Sequence, residues 1–230
     1  MPTAGFWARY AAWSLDAACL LPPVMLLCAS RVGHALADAR AAGRAMAAEA
    51  PRLLGDVLAT MQAPPDMARQ LLADPAMAAA AERLQSALGA ILLTPLLVYA
   101  LLALPWSVLF EQSRWQATPG KRALGLRVAD QRGRRLKAGH ALLRYLASGL
   151  SWLTLNIGHA MAALPPRQLA LHDRISDTRV LRGAGSGRLP AWAKGWIALQ
   201  LLAVLFASAW AFAWLHAAMQ AALQQALGPL

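Results

Sequence analysis

From Ser86 to Phe110 the chain runs for 25 residues without a charge. At about 1.5 Å per residue such a helix reaches about 37 Å, enough to cross a hydrocarbon core of about 30 Å with some tilt. A second run, Gly195 to Leu230, carries no charge apart from a titratable His216. A third, Tyr10–Ser30, is apolar except for Asp16, with Arg9 at its start. Charged residues make up 14% of the chain and hydrophobic ones 58%, against roughly 25% charged in soluble domains. The sequence therefore predicts an all-α integral membrane protein with three transmembrane helices.

Asp16 constrains the first span. A carboxylate well inside a bilayer costs roughly 2.5–3.5 kcal/mol even on the lenient insertion scale, so it needs a partner, a proton or a water-filled cavity. Arg9 lies seven residues earlier, two helical turns away on the same face. The segment has no basic stretch before it and no small-residue cleavage pattern, so it is expected to be retained as a span rather than removed as a signal. Pro22-Pro23 predicts a kink or a division of this helix. Cys19 and Cys28, about 13 Å apart along a helix, are too distant for a disulfide and are expected to be packing residues.

The net charge of +11 is unevenly placed. Between the first two spans six arginines meet six acids. The excess lies in two later stretches: nine basic residues from Arg114 to Arg144, and six from Arg167 to Lys194. Basic loops beside spans belong in the cytoplasm, so the charge reads as a topology signal, and no nucleic-acid partner is expected. The apolar segment Tyr145–Pro166 separates these stretches, and a single crossing there would put one of them outside. Its centre is broken by Asn156-Ile157-Gly158-His159, and it ends in Pro165-Pro166. A re-entrant or interfacial helical hairpin keeps both basic stretches on one side; a true crossing is the rival.

Residues 31–85 are alanine-rich, balanced in charge and interrupted at Pro51, Pro64-Pro65 and Pro75. They read as a helical extracytoplasmic insertion that prolongs the first two spans. The tryptophans, paired near the ends of the three spans, suit the two interfacial belts. Leu126–Ala129 and Leu136, around the turn Asp130-Gln131-Arg132-Gly133, predict a small cytoplasmic β-hairpin, to which Thr178–Leu181 would add a third strand. Lys121, Arg122 and Arg127 follow the turn Thr118-Pro119-Gly120 and are expected to face lipid headgroups or phosphate. His172, Asp173 and Asp177 are explained by a turn or cap, so no metal and no cofactor is expected. No HExxH, G-x-S-x-G or Cys–His pattern occurs, so the chain is not expected to be an enzyme.

Four separated pieces stand in order: Arg9 and Asp16; Ala117-Thr118-Pro119-Gly120-Lys121-Arg122-Ala123-Leu124-Gly125-Leu126-Arg127-Val128; Arg144-Tyr145-Leu146; and Leu171-His172-Asp173 within the stretch 168–180. Together they resemble the RDD family of bacterial membrane proteins, named for one arginine and two aspartates. The resemblance covers roughly residues 5–182. It implies that Arg9 is the arginine opening the first helix, Asp16 the aspartate within it, and Asp173 the second aspartate. The long insertion and the final span depart from the pattern. The domain reading is thus an RDD-like membrane domain over 1–184, with an added C-terminal span and tail over 185–230.

Arg9, Asp16 and Asp173 are expected to form one polar constellation on the cytoplasmic side. The chain is read as a multi-pass protein of the bacterial inner membrane with its N-terminus in the cytoplasm. Two functions follow: ion or small-solute transport of the cation/proton exchange type, which the resemblance implies loosely, or a non-transporting scaffold or accessory subunit. Three spans and a hairpin surround little space, so a homo-oligomer or a membrane partner is expected.

Overall fold

The computed structural model describes residues 2–60, 69, 73–166, 168–183 and 188–227. In chain order it contains α1 (Phe6–Thr60), α2 (Pro75–Gln112), α3 (Pro119–Ala123), β1 (Leu126–Asp130), α4 (Ala138–Leu153), α5 (Ile157–Ala160), a 3-10 turn (Met161–Ala163), α6 (Leu171–Ile175), β2 (Thr178–Arg182) and α7 (Ala191–Leu227). Among the described residues three helical stretches are long and apolar enough to cross a membrane: Phe6–Glu49, Pro75–Gln112 and Ala191–Ala221. These match the three expected spans.

Helix α1 is not divided at Pro22-Pro23, nor broken at Pro51. Proline removes its own N–H but has a helical φ, so the hydrogen bonds on either side persist when the flanking residues favour helix. Pro75, by contrast, starts α2. Asp74 precedes it, and its Oδ1 accepts from the N–H groups of Ala76 and Met77 at 3.0 and 2.9 Å. That is a helix N-cap followed by proline at the first helical position. The break expected at Pro64-Pro65 lies outside the described residues.

Two compact units emerge, one of Met1–Pro22 with Tyr99–Trp210, the other of Pro23–Val98 with Ala211–Leu230. In the second, Val24, Cys28, Ala35 and Ala42 of α1 and Ala80 and Ala87 of α2 are buried. Cys19 is exposed, so of the two free cysteines only Cys28 packs. Arg52 joins Glu49 at 2.9 Å and Asp74 at 2.5 Å. Within 31–85, residues 31–60 continue α1 and residues 75–85 form the start of α2.

Among the described residues, the buried polar side chains lie in the first unit. Its core is built on alanines of α1 (Ala8, Ala11, Ala12), with Leu126, Val128 and Val180 from the sheet. Small side chains on that face of α1 let backbone approach closely. The sheet differs from the expected hairpin. The turn after β1 forms: Asp130 Oδ1 accepts from the N–H of Arg132 and Arg134, both at 2.8 Å, and Gly133 takes φ +77°. Yet beyond one backbone bond across the turn, Asp130 N–H to Arg134 O at 3.0 Å, the chain that follows forms no strand. Leu136 goes into the core instead, and β1 pairs antiparallel with β2, Leu126 opposite Arg182 through Asp130 opposite Thr178. The N-terminal segment adds to the far edge of β2, with Ala4 N–H donating to Val180 O at 2.9 Å and Arg182 N–H donating to Pro2 O at 3.0 Å.

Non-local pairing constrains topology. Strands β1 and β2 lie on one side of any bilayer that the long helices cross, and so does the N-terminal segment bonded to β2. Whatever lies between the strands must return to the side it left. Helix α4 ends at Leu153, where Leu155 and Asn156 take φ of 50° and 64°, a left-handed break that reverses the chain. Gly158 then packs on Ser151, since a Cβ there would lie 2.3 Å from Ser151 Oγ and 2.9 Å from Leu171 Cβ. Further along, Asp173 meets Arg144. The return limb therefore retraces α4 from its tip to its base, which is the shape of a hairpin. In a chain freed of Cys19 and Cys28, single cysteines at the exposed positions 132 and 174 should react with an impermeant maleimide from the same side. Reaction from opposite sides would contradict the sheet.

Candidate functional site

Two polar centres lie in the first unit. The larger is a chain of ion pairs centred on Asp173, which is 1% exposed. Arg9, one turn into α1, donates from Nη1 to Asp173 Oδ2 at 2.5 Å. Its Nε donates to Ala4 O at 2.8 Å and its Nη2 to Gln168 O at 3.0 Å. Arg144, from α4, pairs with the other oxygen of Asp173 and donates to Thr178 Oγ1 at 2.8 Å. Its Nε faces Glu111 Oε2 at 3.2 Å, and Glu111 Oε1 accepts from Lys121 Nζ at 2.8 Å. Three cations and two carboxylates from α1, α2, α3, α4 and α6 thus form one continuous network. Asp173 Oδ2 also accepts from Ala170 N–H at 3.0 Å, fixing the start of α6. Burial pushes the Asp173 carboxyl up, but Arg144, Arg9 and His172 more than offset this and hold it far below the usual carboxylate range. Buried ion pairs are tolerated where geometry and extra hydrogen bonds compensate their desolvation, as they do here.

The second centre is Asp16. Thr118 Oγ1 donates to Oδ2 at 2.5 Å, while Gly120 N–H and Trp106 Nε1 donate to Oδ1 at 2.8 and 3.2 Å. All three donors are neutral, and among the described residues Asp16 forms no ion pair. Gly120 is needed for this contact: a Cβ there would sit 2.1 Å from Ala12 O and 3.0 Å from the Asp16 carboxylate. Thr118 caps α3, with Pro119 following, and so presents both its hydroxyl and the Gly120 amide to α1.

The structure brings Arg9 and Asp173 together but gives Asp16 a separate set of partners. Two helical turns exceed what Arg9 spans here, because its guanidinium is turned toward Asp173 and the Ala4 and Gln168 carbonyls. Lys121, expected to face lipid, is instead mostly buried against Glu111. Arg122 is exposed with its guanidinium 4.2 Å from the Trp115 ring centroid, a cation–π contact. Arg127 lies on β1, half-buried. Trp106 and Trp196, read as interfacial anchors, direct their indole N–H groups to Asp16 and Ser14, the latter at 3.0 Å. Sequence reasoning missed Arg144 and Glu111 as site residues. Arg144 stood in a quoted motif, and Glu111 ends a charge-free run, the one place where an acid beside a span invites a cation.

Among the described residues no three His, Cys, Asp or Glu side chains converge to hold a metal ion. The fold and site define a mostly helical chain with three membrane-length helices and an arginine–aspartate core at the start of the first. A sequence profile of the RDD family matches residues 3–177, and the chain belongs to that family. Residues of this chain are also 35% identical over 89 positions to the uncharacterized protein YxaI of Bacillus subtilis (strain 168). That alignment spans 39% of this chain and 58% of the relative. No solved structure matches this chain.

Proposed function

We propose that this chain is a multi-pass protein of the bacterial plasma membrane that exchanges a cation for a proton, with Asp16 as the exchanging group. The observation that carries this reading is the contrast between its buried carboxylates. Asp173 and Glu111 are locked in ion pairs with arginine and lysine. Asp16 is held by neutral donors alone, so gaining or losing a proton there breaks no ion pair. A carboxylate of that kind inside a span is the usual place to look for an ion pathway. The ion-pair network supplies the rigid frame on which the Thr118–Gly120 loop and α1 meet.

Residues of the N-terminal segment, β1 and β2 share a side, and with the basic stretches around the two strands that side is the cytoplasm by the positive-inside rule. The 31–85 insertion then lies outside. Three spans enclose too little protein to shield an ion path, so the working form is an oligomer or a complex with another membrane protein. Exposed Arg122, and half-buried Arg127 to a lesser extent, are the candidates to meet anionic headgroups.

A second reading, a scaffold without transport, is favoured by the cavities. Two that open on the first unit, of about 640 and 410 Å³, are lined by residues such as Asp173, Arg174 and Arg179, or Phe6 and Gln168, and Asp16 lines neither of these two. Cation-driven proton flux in proteoliposomes decides between them. Asp16→Asn should fold, because asparagine keeps an acceptor for Gly120 and Trp106 and offers a donor to Thr118. Wild-type flux that this variant abolishes supports exchange. A silent wild type, or flux unchanged in the variant, supports the scaffold.

A further inference from the structure

Helix α4 is built inside out. Its buried side carries Ala141, Arg144, Ala147 and Ser151, small or polar residues. On the other side Leu142, Leu146, Leu150 and Leu153 repeat at helical spacing, with Leu143 beside them. All five leucines are exposed, Leu146 by 58% and Leu153 by 82%. A helix on the surface of a soluble domain has the reverse arrangement, and a contiguous apolar face of this kind marks contact with another apolar phase. Just before it, the chain turns out of β1. Arg132, Arg134, Arg135 and Lys137 fall within six positions there, and all four are exposed. Two carboxylates come near: Asp130, paired with Arg134 at 2.8 Å, and Asp177, which accepts from Gln131 Nε2 at 2.8 Å. Four cations against two acids leave this collar positive.

We propose that the collar and the leucine stripe together bind an anionic phospholipid, its phosphate meeting Arg132, Arg135 and Lys137 and its acyl chains lying along α4. The spacing of the two parts carries this. Lys137 is the N-cap of α4, and Leu142 lies five residues on, about 7.5 Å along the axis. The headgroup layer occupies about 5–8 Å on each side of the hydrocarbon core, so cations at the cap and leucines from 142 onward fall at the right depths. Four Lys or Arg at the foot of an amphipathic helix are enough to select acidic lipid. Neither part suffices alone. Cations by themselves would take a soluble phosphate or an acidic protein, and leucines by themselves would take any lipid. Arg134 is left out of the contact because Asp130 already holds it. The inference rests on the multi-pass reading above and not on ion exchange, since Asp16 takes no part in it.

The test uses the full chain, freed of Cys19 and Cys28, in phosphatidylcholine nanodiscs. A fluorophore is attached at Leu143→Cys on the leucine face, and in a second sample at Leu205→Cys on α7, 66% exposed and eleven residues past Lys194. Each is titrated with phosphatidylglycerol or phosphatidylcholine that carries bromine on its acyl chains as quencher. Brominated phosphatidylglycerol should quench the label at 143 with the higher affinity, and the two lipids should quench the label at 205 alike. Each cation near the surface contributes about fivefold, so the triple variant Arg132→Gln, Arg135→Gln, Lys137→Gln should cut the preference at 143 by at least about tenfold. Arg134 stays in that variant, so the turn keeps its pair with Asp130. In the wild type the preference should also shrink as ionic strength rises. Equal quenching by both lipids at 143, or a preference that survives the triple variant, would overturn the site. Quenching by neither lipid would overturn it as well and assign the leucine face to a protein partner or a second copy. A wild type with the lipid preference but no ion flux upholds this site while removing the exchange reading.

Discussion

Arg144→Ala should destabilise this protein by about 3–5 kcal/mol, the usual consequence of removing one partner from a buried ion pair and leaving the other uncompensated. Arg144 is the residue that links the two carboxylates. It pairs with Asp173 and Glu111 and donates to Thr178 at the start of β2. Without it Asp173 keeps only Arg9, and Glu111 only Lys121. Arg9→Ala should cost less, because Arg144 still neutralises Asp173. Lysine at 144 should not rescue, since an ammonium cannot span two carboxylates as a guanidinium fork does. Thermal unfolding in nanodiscs, read by circular dichroism, checks the order Arg144→Ala, then Arg9→Ala, then Asp16→Asn. A wild-type-like Arg144→Ala would show that the network is idle.

The same carboxylate sets a pH dependence. Its folded value lies below the ordinary 3.8, so the stabilisation is complete above that ordinary value and lost as pH falls toward the folded one. Stability should therefore be flat in this respect from pH 5 to 8 and fall only in strong acid.

The amino-acid sequence made some of this legible and hid the rest, for physical reasons that differ by residue. The three long helices announce themselves because a charge-free run of 25 residues has few other uses. Pairing of Arg9 with Asp173 follows from chain reversal in the segment 145–166, which the polar break at Asn156-Ile157-Gly158-His159 signals. The partners of Asp16 were not legible. They are neutral and lie some hundred residues on, and a backbone N–H carries no sequence signal. The sheet misled for the opposite reason. Asp130 to Gly133 is a sound turn, so a local hairpin looked sufficient, yet Leu136 buries better in the core than on a strand, and β2 from the far side of the hairpin takes its place. Lys121 and Arg122 are adjacent and chemically alike. Only the position of Glu111 decides that one is buried and the other faces out.

Gly120→Ala should damage the protein about as severely as loss of Arg144, although it adds a single methyl group. That methyl would lie 2.1 Å from the backbone oxygen of Ala12, and neither backbone yields easily: Ala12 is inside α1, and Gly120 is in the first turn of α3. Overpacking alone costs about 1–3 kcal/mol. The loop can relieve the clash only by moving off α1, which takes the Gly120 amide and the Thr118 hydroxyl away from Asp16. Each hydrogen bond to a charged group so lost costs about a further 1.5–3 kcal/mol, and the carboxylate is left buried with Trp106 as its one donor. Gly139→Ala is the control. It sits in a helix with nothing within 4 Å of the added carbon, so alanine there should be neutral or stabilising by up to about 1 kcal/mol. The comparison also separates Asp16's two roles. If Gly120→Ala is lethal to folding while Asp16→Asn is not, the loop is held by the hydrogen bonds that both aspartate and asparagine can make. The charge itself is then free to serve another purpose. Equal tolerance of Gly120→Ala and Gly139→Ala would mean that the loop does not seat on α1, and the enclosure of Asp16 by neutral donors would go with it.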